Sequence, residues 1–271
     1  MEKIQSAIAK ARAERKNTPP SKPLFRHRDY EPGDESGAWQ VLPLVEPTRA
    51  RLRGQRIVTL ERSHEAASFD KLRTRMLQQM QANNWRRVAI TSPGATSGKS
   101  TVALNLAYSV SRQMRSSVIL SEMDLRKPSI LRTLRLKTKR DFAQVIQQRA
   151  EFVDEAVRLR SNLALGAVQK SMPNSAEILQ NPQLAETLDS IEAEFDPTVM
   201  MFDMPPFQVS DDMMAFGDKV DCVMIVAAAE QTRIEELDIC ERELANVTNI
   251  LGVVLNKCRY DTADTSFNYY G

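Results

Sequence analysis

The chain has 271 residues, 42% of them hydrophobic, and a formal net charge of +2. This length and composition suffice for one substantial core, and the near-neutral charge gives no overall field for nucleic acid, so we expect no nucleic-acid partner. The three cysteines, Cys222, Cys240 and Cys258, lie far apart without metal-ligand spacing and predict reduced thiols of a cytoplasmic protein. No apolar run reaches the length of a membrane span and the N-terminus lacks a signal peptide, so we expect no direct membrane insertion.

The N-terminal part of the sequence differs from the rest in composition. Residues 1–16 predict a short amphipathic helix, which is either a frayed end or a docking segment for a partner. Residues 17–56 are rich in proline and charge and predict a linker, so we expect a disordered N-terminal extension. We assign residues 57–260 to one folded domain and residues 261–271 to a polar tail that contains tyrosines.

Within the predicted domain, short apolar runs alternate with stretches of helical period. The predicted strands are 88–90, 118–120, 163–165, 199–202, 223–226 and 251–255. The predicted helices are 69–80, 102–110, 141–148, 175–191, 211–216 and 233–246. Strands that are apolar on both faces are typical of a parallel sheet covered by helices, so the predicted fold class is α/β, a doubly wound and mainly parallel sheet.

The segment between the first of these strands and the helix after it carries a phosphate-binding pattern. Gly98, Lys99 and Ser100 close a loop of small residues at the point where the helix begins. Backbone N–H groups at such a helix start hold phosphate oxygens, the lysine reaches the outer phosphates, and the serine hydroxyl binds Mg²⁺. We therefore predict ATP and Mg²⁺ as the cofactors. The predicted nucleotide-binding residues of this loop are Gly94, Ala95, Thr96, Ser97, Gly98, Lys99, Ser100 and Thr101.

Two further strands end in carboxylates. Glu122 and Asp124 follow the second predicted strand, and Asp203 follows the fourth. The carboxyl ends of parallel strands share one edge of the sheet, where ligands bind in α/β folds. Asp203 is therefore predicted to hold Mg²⁺ opposite Ser100. Because Glu122 and Asp124 lie two residues apart in an extended segment, we expect both to point at the phosphates, with Arg126 beside them.

Three short motifs stand out along the domain. They are Ser-Pro-Gly-Ala-Thr-Ser-Gly-Lys-Ser-Thr at 92–101, Glu-Met-Asp-Leu-Arg-Lys-Pro at 122–128 and Phe-Asp-Met-Pro-Pro at 202–206. Together they resemble the bacterial tyrosine kinases, P-loop autokinases of capsule and exopolysaccharide assembly. The likeness extends to the segments that begin at Asn174, Val209 and Leu255.

The resemblance implies a P-loop fold of the deviant-Walker, MinD-like type and transfer of the ATP γ-phosphoryl group to tyrosine. It implies that the partner is an inner-membrane polysaccharide co-polymerase, a chain-length regulator that activates the kinase. It also implies a cytoplasmic protein that is peripheral to the inner membrane through that partner.

The resemblance also assigns roles to residues by position. It implies a catalytic set of Lys99, Glu122, Asp124, Arg126 and Asp203. It implies a metal set of Ser100, Asp124 and Asp203, and it places Asn256 where the family binds the base. Glu122 replaces the first aspartate of the family's second acidic motif and is the predicted proton acceptor. Tyr269 and Tyr270 are the predicted phosphoacceptors, in the tail of a neighbouring copy.

Departures from the family pattern leave alternatives open. At the position of the family's ring-assembly motif the chain has Ala67, Asp70 and Arg73, so we expect no stable ring, while self-association of another kind stays open. A P-loop ATPase switch is one alternative function, although Pro93 and Gly94 offer no lysine of the kind that reaches across a dimer in those relatives. A nucleotide-gated, non-catalytic scaffold of the polysaccharide machinery is the other.

Overall fold

The computed structural model describes residues 37–258, and the strands in that range form one seven-stranded sheet. The strands are β1 (Arg87–Thr91), β2 (Val118–Glu122), β3 (Val157–Arg160), β4 (Leu163–Gly166), β5 (Val199–Asp203), β6 (Cys222–Ala228) and β7 (Asn249–Asn256). Their order across the sheet is β3-β4-β2-β5-β1-β6-β7, and all neighbouring strands are parallel except β3 and β4. The predicted α/β class with a mainly parallel sheet is confirmed.

The helices cover both faces of this sheet. They are α1 (Gly37–Val41), α2 (Arg49–Gly54), α3 (His64–Ala82), α4 (Lys99–Ser111), α5 (Ile130–Leu134), α6 (Ala143–Ile146), α7 (Phe152–Glu155), α8 (Ser175–Gln180), α9 (Pro182–Phe195), α10 (Asp212–Phe216) and α11 (Ile234–Leu244). Short 3₁₀ turns lie at Phe207–Val209 and Gly217–Lys219. In the range 37–258, no helix has both the length and the apolar character that crossing a bilayer requires.

The order of the central strands brings the predicted site together. β5 lies between β2 and β1, and Asp203 pairs in register with both Glu122 and Ile90. All residues of β2 and β5 are buried, as central strands covered on both faces require. The loops after β1, β2 and β5 therefore emerge side by side at the carboxyl edge of the sheet.

The prediction of a linker through residue 56 is wrong for residues 37–56. Trp39 is buried, donates from Nε1 to the Phe195 carbonyl at 2.9 Å and packs edge-on against the Phe195 ring. Leu42 and Leu52 are each only 1% exposed. The prolines of this segment lie between the two short helices, so they limit helix length without preventing the apolar residues from joining the core.

Other element predictions need smaller corrections. The helix predicted over 175–191 is two helices, because Pro182 lacks an N–H and the Asn181 side chain caps the second one at the Gln183 N–H. β3 was not predicted, since its apolar residues alternate with arginines. The last strand, predicted to be buried, is an edge strand in which Val253 is 44% and Leu255 is 60% exposed. The predicted helix at 1–16 and the tail at 261–271 lie outside the described residues.

Candidate phosphate and metal site

The loop between β1 and α4 turns sharply into the helix. Thr96 and Gly98 both have left-handed backbone angles, with φ values of 66° and 86°. The hydroxyls of Ser92 and Ser97 both donate to the Gly94 carbonyl, at 2.8 and 3.1 Å. A helix start leaves its first N–H groups without intrahelical acceptors, so this geometry is suited to phosphate oxygens, and phosphate binding by the loop stays a prediction.

Asn256, the last residue of the edge strand β7, makes a direct hydrogen bond to the phosphate loop. Its Nδ2 donates to the Ser97 carbonyl at 2.9 Å. A Cβ atom on Gly98 would come within 2.4 Å of that nitrogen, and the φ of 86° is a backbone angle that glycine adopts without strain and other residues rarely adopt. The structure places Asn256 against the phosphate loop, and its contact with a base stays a prediction.

Lys99 is bracketed by two carboxylates. Its Nζ lies 2.8 Å from Asp124 Oδ2 and 3.8 Å from Asp203 Oδ1. Burial lowers the pKa of Lys99, but the charges of Asp203 and Asp124 outweigh it, so the pKa stays above its ordinary value. The lysine therefore remains a cation in the interior of the site.

Asp203 is the least satisfied group in the site. It is completely buried, and neither carboxylate oxygen has a hydrogen-bond partner among the described residues. Burial raises the pKa of Asp203, while the Lys99 charge opposes the rise. The Ser100 hydroxyl also lowers the pKa of Asp203, so the two groups are neighbours although their geometry falls short of a hydrogen bond. A buried carboxylate that accepts no hydrogen bond from the described residues and lies beside a hydroxyl suits a hard cation.

Asp124 differs from Asp203 in that both of its oxygens are engaged. Oδ2 accepts from Lys99 Nζ at 2.8 Å, and Oδ1 accepts from the Lys127 N–H at 3.1 Å. Within residues 37–258, no three His, Cys, Asp or Glu side chains are arranged to hold a metal ion. Mg²⁺ bound with a nucleotide typically needs only one or two protein ligands, because phosphate and water supply the rest. Ser100 and Asp203 fit that role directly, whereas Asp124 must first release Lys99.

Both carboxylate oxygens of Glu122 are held by backbone N–H groups. Its Oε1 accepts from the N–H groups of Ser129 and Ile130, and its Oε2 accepts from the Val168 N–H at 3.0 Å. The side chain is completely buried, and burial raises its pKa to about 7 although the three N–H bonds lower it. A proton acceptor must reach the substrate hydroxyl, so this geometry opposes the predicted role of Glu122 as the base. The carboxylate instead ties the loop after β2 to the loop after β4.

Sequence reasoning assigned no role to two residues beside Arg126. Asp212 and Ser175 are both completely buried, and the Ser175 Oγ lies 2.8 Å from each oxygen of Asp212. The Arg126 Nε and Nη2 atoms lie 3.4 Å from Asp212 Oδ1. Ser175 and Asp212 fall in or beside segments that resembled the family, but only the fold brings them together with Arg126.

At the position of the ring-assembly motif, Asp70 and Arg73 make contacts within the chain. Asp70 Oδ1 accepts from Ser109 Oγ at 2.6 Å, from Arg73 Nη1 at 3.2 Å and from Arg112 Nη2. These contacts join α3 to α4. Arg73, the one arginine that the motif keeps, is thus engaged inside the chain.

No family model matches the chain. Among curated proteins, it is 27% identical over 234 residues to the tyrosine-protein kinase YwqD of Bacillus subtilis, covering 85% of this chain and 91% of that protein. It is 24% identical over 202 residues to the tyrosine-protein kinase CpsD of Streptococcus pneumoniae, covering 71% and 83%. It is 24% identical over 207 residues to the succinoglycan biosynthesis transport protein ExoP of Rhizobium meliloti, covering 74% of this chain but 26% of that longer protein.

Solved structures show the same fold. The kinase domain of the Escherichia coli tyrosine kinase ETK aligns with a TM-score of 0.67 at 19% identity, covering 74% of this chain and 78% of that one. The chimerical protein CapA2B2 aligns with a TM-score of 0.65 at 22% identity, covering 80% and 95%. At these identities the structural likeness establishes the fold, and the curated homologues are the link to tyrosine-protein kinases.

Proposed function

We propose that this chain, a homologue of the bacterial tyrosine-protein kinases, is an ATP-dependent protein-tyrosine autokinase of capsule or exopolysaccharide assembly. The observation that carries the proposal is the cluster of Lys99, Asp124 and Asp203 at the end of the phosphate loop. A buried lysine held between two carboxylates is poised to exchange one of them for a phosphate oxygen. The reaction class is inferred from the homologues, which are tyrosine-protein kinases, and the cluster provides groups that can bind phosphate and a metal ion.

Each residue of the cluster has a separate task. The backbone of residues 94–101 receives the phosphates at the start of α4, and Gly98 permits the turn. Lys99 stays protonated and neutralises charge on the outer phosphates. When Lys99 turns to phosphate, Asp124 loses its ion-pair partner and becomes available to a metal ion.

We further propose that Ser100 and Asp203 hold Mg²⁺, with Asp124 joining them. When bound, Mg²⁺ would neutralise charge on the phosphate oxygens. The support is the buried Asp203 carboxylate without a hydrogen-bond partner among the described residues. The cost of burying that charge falls when a cation arrives.

The acceptor is proposed to be Tyr269 or Tyr270 of a neighbouring copy. Phosphoryl transfer depends mainly on positioning and on charge stabilisation, so the bond to ADP can break and the bond to tyrosine can form without a strong general base, and the tyrosine proton passes to a phosphate oxygen or to water. This removes the need for Glu122, which is bound to three backbone N–H groups. The enzyme's partner is proposed to be a polysaccharide co-polymerase of the inner membrane, which would bring this chain to that membrane.

Phosphotyrosine mass spectrometry of the full chain, incubated with Mg²⁺·ATP, tests the proposal. We expect phosphate on Tyr269 or Tyr270 in the parent protein and none in the Lys99→Ala variant. A Tyr269→Phe/Tyr270→Phe variant locates the acceptor, because signal that persists at another tyrosine refutes the tail assignment. Absence of phosphotyrosine in the parent, with and without co-polymerase, refutes the kinase.

A nucleotide-gated scaffold is the second candidate, and the engaged Glu122 carboxylate is as compatible with it as with a kinase that uses no strong base. The only carboxylate that sequence reasoning offered as a base is buried and engaged. A protein that binds ATP and Mg²⁺ and changes partners would need no base. Nucleotide-dependent binding to the co-polymerase without formation of phosphotyrosine would establish the scaffold function. If ATP hydrolysis were also measured, the protein would be an ATPase switch.

A further inference from the structure

Asp212 is a buried carboxylate whose hydrogen-bond donors include the side chains of Ser175 and Arg126. It begins α10, is completely buried and has the Ser175 hydroxyl 2.8 Å from both oxygens. One hydroxyl proton can serve only one oxygen at a time, so the charge requires another partner. The Arg126 guanidinium provides it, with Nε and Nη2 both 3.4 Å from Asp212 Oδ1.

The backbone around Arg126 is fixed independently of this contact. The Arg126 carbonyl accepts from Ser171 Oγ at 2.6 Å, and the Leu125 carbonyl accepts from the Met172 N–H at 2.8 Å. These bonds fix the backbone alone, so the position of the Arg126 side chain, which is 38% exposed, depends on other contacts. Arg126 stands two residues after Asp124, the ion-pair partner of Lys99.

We infer that Asp212 is a positioning residue that holds the Arg126 guanidinium at the rim of the phosphate site, and that Ser175 fixes the Asp212 carboxylate. A guanidinium has five N–H donors, and Asp212 engages two of its nitrogens at the long end of hydrogen-bond distance. The remaining donors are available to an anion that enters from solvent, which under the proposed function is the outer phosphate of ATP.

A double-mutant cycle tests this inference on the full chain. The variants are Asp212→Asn, Arg126→Gln and the combination, and the readouts are ATP turnover and the ratio of affinities for a non-hydrolysable ATP analogue and ADP. We expect Asp212→Asn to lower both by about tenfold while the melting temperature changes little, and to have no further effect when Arg126 is already Gln. An equal loss in both backgrounds would show a structural role and overturn the inference.

Asp211 provides a matched control. Its side chain is 75% exposed and lies 3.7 Å from Arg126 Nη2, so Asp211→Asn makes the same charge change at the surface. We expect this variant to resemble the parent protein. A loss as large as that of Asp212→Asn would mean that surface charge, and not the buried carboxylate, places the arginine.

Ser175→Ala gives a second route if Asp212→Asn does not fold. It keeps both charges and removes only the hydroxyl, so we expect a smaller loss that also vanishes in the Arg126→Gln background. The affinity ratio requires no phosphotransfer, so the two proposals fail separately. If the effects of the Asp212 and Arg126 changes are coupled but no phosphotyrosine forms, this inference stands and the kinase is refuted. If phosphotyrosine forms but the two effects are additive, the kinase stands and this inference is refuted.

Discussion

Lys99 and Asp203 face each other across 3.8 Å in the interior of the site, yet only Lys99 has a second partner. Asp124 lies 2.8 Å from the lysine, while both oxygens of Asp203 lack a hydrogen bond among the described residues. The cluster thus holds one cation and two carboxylates in a buried space. This excess of negative charge is the electrostatic reason for a metal ion to bind there.

Lys99→Ala is expected to abolish ATP turnover and to weaken nucleotide binding. The change removes the cation that we propose to meet the outer phosphates, and it leaves the buried carboxylates of Asp124 and Asp203 without their shared ion-pair partner. Loss of such a contact typically lowers turnover on the order of a hundredfold or more. Lys127→Ala, at an exposed position of the adjoining loop, is the control and should resemble the parent in an ATP hydrolysis assay. Parent-like turnover in Lys99→Ala would remove the basis for the phosphate site.

Asp203→Asn is expected to weaken Mg²⁺ binding without lowering the stability of the fold. Burial raises the pKa of Asp203 above its ordinary value, so the ionised carboxylate destabilises the folded chain relative to the unfolded chain. Neutralising it should leave the melting temperature in metal-free buffer unchanged or higher, while the Mg²⁺ concentration that half-saturates nucleotide binding rises about tenfold or more. Calorimetric titrations at several Mg²⁺ concentrations measure this. An unchanged Mg²⁺ requirement would contradict the metal assignment.

Glu122→Gln is expected to lower thermal stability and to reduce phosphotransfer only as far as folding is lost. The carboxylate accepts from three N–H groups, and the amide of glutamine would turn its own N–H₂ toward one of them. A buried donor left without an acceptor costs about 1–3 kcal/mol. Glu235→Gln, on the exposed side of α11, is the control for the same chemical change. A Glu122→Gln variant that melts like the parent but transfers no phosphate would restore Glu122 as the base.

The different fates of Glu122 and Asp124 show where the sequence stops predicting the site. Both were expected to point at the phosphates because two residues in an extended strand share a face. The two carboxylates instead have different partners, because Glu122 accepts from backbone N–H groups of Ile130 and Val168 whereas Asp124 accepts from Lys99 Nζ. The strand ends themselves were predictable, because continuous apolar runs mark buried parallel strands.

Contacts between distant segments could not be read from local pattern. Trp39 reaches Phe195, and Ser175 reaches Asp212, only because the sheet order places their elements together. Local periodicity gives the identity of an element but not its neighbour across the fold. The phosphate loop was predictable for the opposite reason, since its glycine, lysine and serine are adjacent in sequence.

Gly98→Ala is expected to weaken nucleotide binding strongly for two reasons that can be separated. The residue has a φ of 86°, and a Cβ would meet Asn256 Nδ2 at 2.4 Å. In an Asn256→Ala background the clash is absent but the left-handed backbone strain remains, so Gly98→Ala should lower affinity less there than it does in the parent. Gly54→Ala is the control, because it lies outside the loop and an added Cβ would meet no atom within 4 Å. If Gly98→Ala bound nucleotide with the affinity of the parent, neither the left-handed backbone angle at this position nor the clash with Asn256 would limit nucleotide binding.

Asp70→Asn should lower stability in a pH-dependent way. Burial raises the pKa of Asp70, but hydrogen bonds from Ser109 and Arg112 and the charges of Arg112 and Arg73 bring it below its ordinary value of 3.8. Because the folded-state pKa is depressed, the ionised carboxylate stabilises the fold above its ordinary pKa, and that contribution is lost as the pH falls through the folded-state pKa. We therefore expect Asp70→Asn to melt several degrees below the parent at pH 7, for a cost of about 1–3 kcal/mol.

The same reasoning predicts how this difference changes with acidity. The gap between parent and Asp70→Asn should narrow as the pH falls from about 5 toward about 3, because the parent's own carboxylate becomes protonated. Asp238→Asn, an exposed position on α11, is the matched control and should melt with the parent throughout. Thermal unfolding followed by circular dichroism at closely spaced pH values measures the gap. A gap that stays constant across this range would show that packing around Asp70, and not its charge, joins α3 to α4.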